Sequence, residues 1–113
     1  MNAPELNKSL AETQFPKDGW EIYKHDPEYP ELLYVKHEDG EHYRQINYLE
    51  NWNDLMPLVV EHRIMLEPHD LPCADWCAFW EDGFGKSFTA TNESPQRALI
   101  ECLLKVLTEG KAK

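Results

Sequence analysis

The chain is short of bases: 11 Lys and Arg stand against 21 Asp and Glu, for a formal net charge of −10. A field of that sign repels nucleic acid and anionic membrane, and leaves basic partners or simple solubility as its uses. Long apolar runs are missing as well, so no segment reaches the roughly 20 residues that a membrane-spanning helix needs. Cysteines number three, an odd count that argues for reduced thiols rather than a disulfide framework. The stretch MNAPELNKSLAETQF lacks the basic-then-apolar order of a secretory signal, so the expected location is the cytoplasm. Neither G-x-x-x-x-G-K-S/T nor G-x-G-x-x-G occurs, and DGFGK reads as a turn, so no phosphate-cradling loop is indicated.

What is present is a core. Hydrophobic residues make up 42% of the 113, with 12% aromatic and four Trp, enough for one folded domain over 1–113 with 1–3 and 109–113 as loose ends. Leu6, Leu10 and Ala11 predict a short helix over 4–14, ended by Pro16. WEIYKH alternates over 20–25 as a strand does, and DPEYPE follows as a proline-containing loop. The stretch 32–46 predicts a hairpin, with Asp39-Gly40 as a two-residue type I′ turn that places Glu38 opposite Glu41, His37 opposite His42, Val35 opposite Arg44 and Leu33 opposite Ile46. Trp52, Leu55, Met56, Val59 and Val60 fall on one apolar face of a helix capped by Asn51 or Asn53, starting near Asn53 and ending near Arg63. Pro57 within it removes one hydrogen bond.

A second hairpin is predicted from 75–81 and 86–92, with Glu81 opposite Lys86, Phe79 opposite Phe88 and Cys77 opposite Ala90. Trp76, Ala78 and Trp80 would then share the other face with Ser87, Thr89 and Thr91. Ser94-Pro95 opens a last helix whose broad stripe of Ala98, Leu99, Cys102, Leu103, Val106 and Leu107 calls for deep burial against a sheet. The expected fold class is α+β, a single α/β sandwich of order α-β-β-β-α-β-β-α, with helices packed on an antiparallel sheet.

With Tyr48, Leu49, Asn51 and Asn53 at one helix start, and Gln96, Arg97 and Ala98 before a Leu-rich run, the chain resembles the small phage and prophage proteins described as having a phage ABA sandwich domain. The resemblance spans most of residues 4–108 and rests on packing signatures. The chain departs from that pattern at Met56-Pro57 and in its long acidic hairpin. The resemblance implies a sandwich fold, a phage or prophage origin and work inside the bacterial cytoplasm; it carries over no catalytic residue.

Two groups of side chains are candidates for chemistry. In EPHDLPCADWC, His69, Cys73 and Cys77 offer three metal ligands, with Asp70 or Asp75 as a fourth. The zinc deaminase template does not fit, since three residues separate the cysteines and no H-x-E stands upstream. The leading reading is a proline-ordered loop into a strand, with Cys77 facing the core and no cofactor; zinc is the alternative. His37 and His42, beside Glu38 and Glu41, form a pair too small to hold most metals firmly. For binding, the candidates are Glu38, Asp39, Glu41 and Tyr43 on the acidic hairpin, and Trp76 and Trp80 on a strip that the N-terminal or the central helix is expected to cover, as the resemblance implies. The sequence therefore points to a non-enzymatic protein that binds a basic protein surface, and not nucleic acid or membrane directly. A sharper form is an inhibitor of a host nucleic-acid-binding factor. The alternatives are a metal-binding protein or metal-dependent enzyme using His69, Cys73 and Cys77, and a self-associating structural protein.

Overall fold

The structure, a computed structural model, describes residues 3–23, 33–68 and 75–109. The elements run α1 (Ala3–Gln14), β1 (Trp20–Ile22), β2 (Leu33–His37), β3 (Tyr43–Ile46), α2 (Trp52–Glu61), β4 (Met65–Pro68), β5 (Trp76–Glu81), β6 (Ser87–Asn92) and α3 (Pro95–Thr108). The class is α+β, as the periodicities predict, but the strands form two antiparallel three-stranded sheets, β1-β2-β3 and β4-β5-β6, rather than one. The extra strand is β4. Its MLEP sequence ends in Pro68 and reads as loop, yet an edge strand tolerates a terminal proline because no neighbour needs its missing N–H.

One continuous core joins the layers. Helix α3 packs on β5 and β6 on one side and against α1 on another, which is why Ala98, Leu99, Ile100, Cys102, Leu103, Val106 and Leu107 are all buried. Leu6, Leu10 and Ala11 of α1, Leu33, Val35 and Ile46 of the first sheet, and Leu55, Leu58 and Val59 of α2 complete it. Each fully buried Leu or Ile contributes roughly 1.5–3 kcal/mol over its exposed state. Ser94 caps α3, its hydroxyl accepting the Arg97 N–H, and Asn51 caps α2, its carboxamide oxygen accepting the Asn53 N–H.

Helix α2 begins at Trp52, and its wheel is rotated from the predicted one. Leu55, Leu58 and Val59 face inward with Asp54, while Trp52, Met56 and Val60 lie outside, Val60 at 69% exposure. The helix closes as a Schellman motif: the Ile64 N–H reaches the Val59 carbonyl, the Arg63 N–H reaches the Val60 carbonyl, and Arg63 takes φ 54°.

Three Asp-Gly dipeptides make three different turns. At Asp18-Gly19 both residues have positive φ, 53° and 82°, and Lys17 and Trp20 exchange two backbone hydrogen bonds of 2.9 Å. This is the two-residue hairpin that type I′ geometry allows. At Asp39-Gly40 only the glycine has positive φ. The predicted strand register holds, with Leu33 opposite Ile46 and Val35 opposite Arg44, but the connection is a wider turn in which the Gly40 N–H bonds to the His37 carbonyl. The Asp39 carboxylate explains the difference, because Oδ1 accepts the N–H groups of Glu41 and His42 at 2.8 and 3.1 Å.

At Asp82-Gly83 the Asp82 Oδ1 accepts the N–H groups of Phe84 and Lys86, closing a loop of Gly83, Phe84 and Gly85. That odd-numbered loop shifts the predicted register of the second hairpin by one residue: Trp80 pairs with Phe88, Phe79 with Thr89, Ala78 with Ala90 and Cys77 with Thr91. A one-residue slip moves every partner to the opposite face. Trp76, Ala78 and Trp80 therefore share their face with Phe88 and Ala90, toward α3, while Cys77 and Phe79 lie on the other side with Thr89 and Thr91. The end of the predicted 20–25 strand, residues 24 and 25, lies outside the described residues.

Candidate binding surface and cleft

The β2–β3 turn is held together by its own polar groups. Asp39 Oδ2 lies 2.6 Å from His42 Nδ1 and 3.2 Å from His37 Nδ1. The Glu41 N–H foremost, and then His42, hold the Asp39 carboxyl well below the usual carboxylate range. Trp20 meets His37 edge to face with ring centroids 5.0 Å apart. The Gly19 carbonyl accepts the Glu38 N–H at 2.8 Å, and a Cβ at Gly19 would stand 3.0 Å from His37 Nε2. The type I′ turn thus braces the tip of the hairpin. Glu38, Asp39 and Glu41 are exposed at that tip.

From the tip, the outer face of the first sheet follows by alternation: Glu21 and Tyr23 of the first strand and the residue after it, Tyr34 and Lys36 of β2, Tyr43 and Gln45 of β3. Tyr43 is 53% exposed and Tyr23 nearly as much, and Glu21 and Gln45 are exposed, so among the described residues no helix covers this face. The Tyr23 and Tyr43 rings meet edge to face at 5.6 Å, and the Lys36 ammonium lies 6.0 and 5.8 Å from their centroids. The result is a pre-ordered aromatic platform on the hairpin whose turn exposes Glu38, Asp39 and Glu41.

The inner face of the same sheet opens on a cleft of about 260 Å³, between the end of α1, the Lys17–Trp20 turn and the first turns of α2. Its floor carries an ion pair, Arg44 to Asp54 Oδ1 at 3.1 Å, with the Asp54 side chain only 6% exposed and Arg44 at 55%. Asp54 Oδ2 also accepts the Asn47 N–H at 3.0 Å. Tyr48, 4% exposed, lines the cleft. Burial first, and then the Asp54 charge, push its phenol above the usual range, with Arg44 pulling the other way.

The remaining sequence candidates fall apart from these. Trp76 and Trp80 are half-buried and packed against the core, Trp80 stacking on Phe88 at 5.5 Å. Cys77 is on β5, half-buried, away from the core-facing side that the predicted register gave it. His69, Cys73 and Asp70 lie outside the described residues. Among the described residues no three His, Cys, Asp or Glu side chains are grouped to hold a metal, and no helix is long and apolar enough to cross a membrane.

Sequence reasoning singled out Tyr43 but missed Tyr23 and Tyr34 on the same face, and the Arg44–Asp54 pair. The hairpin register contained the face, because Tyr34 and Tyr43 fall on one side of the sheet once Val35 is opposite Arg44. Nothing in the sequence announces the pair. Compared with protein-family models, curated proteins and solved structures, the chain matches none.

Proposed function

We propose that this chain is a non-enzymatic binding module that docks a basic protein surface on the outer face of β1-β2-β3. The observation that carries the reading is the exposed Tyr23–Tyr43 pair on an uncovered sheet face that also carries Glu21, with Glu38 and Glu41 exposed at the turn of the same hairpin. Aromatic side chains supply large contact area with few rotors to freeze, and binding hot spots are enriched in them. The carboxylates around them, on a chain of net charge −10, favour a Lys- or Arg-rich partner and speed its approach. The resemblance to phage ABA sandwich proteins supports an accessory role in the bacterial cytoplasm. It also supports a sharper form, in which the basic surface is the nucleic-acid groove of a host factor.

The test is a titration of the ¹⁵N-labelled chain with a Lys/Arg-rich helical peptide, at low and at moderate salt. Saturable shifts should centre on Tyr23, Tyr34, Lys36, Tyr43 and the 38–41 turn, weaken as salt rises, and vanish in a Tyr23→Ser, Tyr43→Ser double variant. Shifts spread evenly over all acidic residues, or unchanged in that variant, would show charge attraction without a site and overturn the reading.

A further inference from the structure

The cleft on the other face of the sheet has unused hydrogen-bond donors and an apolar wall, and the two together define a ligand. Tyr48 is almost wholly buried, yet among the described residues its hydroxyl makes no hydrogen bond. Its oxygen is not among the enclosed unpaired atoms, so solvent reaches it, and the residue lines the cleft, where a ligand can take the place of that solvent. The raised phenol keeps its proton at neutral pH and can act as a donor.

Arg44 makes one polar contact among the described residues, to Asp54, and a guanidinium has further N–H groups to offer. Lys17 supplies a second cation on the same lining. Asp54 is a weak rival as an acceptor for a cationic ligand, since its side chain is only 6% exposed, its charge is already met by Arg44, and each of its oxygens already accepts one hydrogen bond. Phe15, Trp20, Ile46, Pro57 and Leu58 form the rest of the wall. The volume of about 260 Å³ sits just below the roughly 300–1,000 Å³ of small-molecule sites, which suits a single ring. Asp18 also lines the cleft, and its carboxylate weighs against a multiply charged anion such as phosphate.

We propose that this cleft binds a small organic carboxylate with a planar apolar body, the carboxylate taking hydrogen bonds from Arg44, Tyr48 and Lys17 and the ring lying against Trp20, Phe15 and Pro57. This site is on the opposite face from the tyrosine platform and stands or falls independently of it.

Benzoate is the probe, with benzylamine and inorganic phosphate as its counterparts, each titrated into the ¹⁵N-labelled full chain. Benzoate should give saturable shifts at Lys17, Trp20, Arg44, Tyr48 and Asn53. Tyr48→Phe keeps the ring and the fold while removing the hydroxyl, and should weaken benzoate about tenfold, the effect of one lost charge-assisted hydrogen bond. Arg44→Gln should weaken it further. No saturable shift at the solubility limit would overturn the proposal, as would occupancy by benzylamine or phosphate in preference to benzoate. Undiminished binding in Tyr48→Phe would overturn the assignment of the hydroxyl.

Discussion

Asn7 and Tyr48, 41 residues apart, are joined by a single carboxamide: Asn7 Oδ1 accepts the Tyr48 N–H at 2.8 Å, while Asn7 Nδ2 donates to the Ile46 carbonyl at 3.1 Å. A side chain on α1 thus pairs with the backbone at the end of β3 as a neighbouring strand would. Asn7 is 3% exposed, so water cannot replace it. Asn7→Ala should cost about 2–4 kcal/mol, because it leaves a buried donor and a buried acceptor unpaired. Asn7→Leu should do no better despite its similar volume. Urea denaturation of the three proteins checks this, and a cost near zero would mean that the Ile46–Tyr48 segment is not held by this contact.

Arg63 occupies the left-handed position that ends α2, where a Cβ costs roughly 1–2 kcal/mol. Arg63→Gly removes that strain but gives the unfolded chain more freedom, an offset of about 0.4–1 kcal/mol. The net expectation is a stabilisation of about 0.5–1 kcal/mol with the Schellman bonds kept. Thermal unfolding reads it directly, and a lower midpoint would contradict it.

The Asp39 carboxyl is held below the usual range in the folded chain by the Glu41 N–H and by His42. As pH falls, the unfolded chain takes up this proton first, near the ordinary value of about 3.9. The contribution of Asp39 to stability is therefore complete above that value, and is lost as pH drops from there toward the folded one. The stability gap between the native chain and Asp39→Ala should be widest above about pH 5 and should close in acid. A carboxyl-carbon NMR titration of Asp39 with an ordinary midpoint would refute the mechanism.

Cys102 is buried in α3 with its Sγ 3.7 Å from the Phe88 carbonyl, and burial pushes its thiol up to about 11. The thiolate is the reactive species. In a Cys73→Ser, Cys77→Ser background, Cys102 should stay unreactive toward a disulfide reagent at pH 8 and react at once when denatured. Fast labelling of the native chain would show that α3 opens far more readily than its packing implies.

The helices and the pairing in the first hairpin were legible in the sequence because each has a local cause. Caps at Asn51 and Ser94 and the stripe from Ala98 to Leu107 need no knowledge of the rest of the chain. The turns were legible only in part. Asp-Gly is permissive of type I′ geometry, but whether the aspartate adopts it depends on its carboxylate: at Asp39 and Asp82 the oxygen caps N–H groups farther along and draws the turn wider. At the second hairpin that wider turn changed the residue count from even to odd, and with it the face of Cys77. The rotation of α2 was not legible, because Trp52, Leu55, Leu58, Val59 and Val60 surround the helix and only Asp54 shows which side is inside. Asp54 faces inward against ordinary expectation because Arg44 and the Asn47 N–H meet it there.

That apolar circumference of α2 governs how the protein behaves in bulk. Trp52, Met56 and Val60 lie outside with no charge interleaved, and Phe84, at the tip of the second hairpin, is 92% exposed. At neutral pH the surplus of carboxylates keeps copies apart. The sequence pI is about 4.8, and there the long-range repulsion disappears while the oily stripe stays, so molecules that collide have little to separate them. Colloidal stability is a property of the acidic surface, whereas stickiness is a property of one helix. A single Val60→Lys substitution should keep the protein clear in a light-scattering scan through pH 4.8 without altering the core.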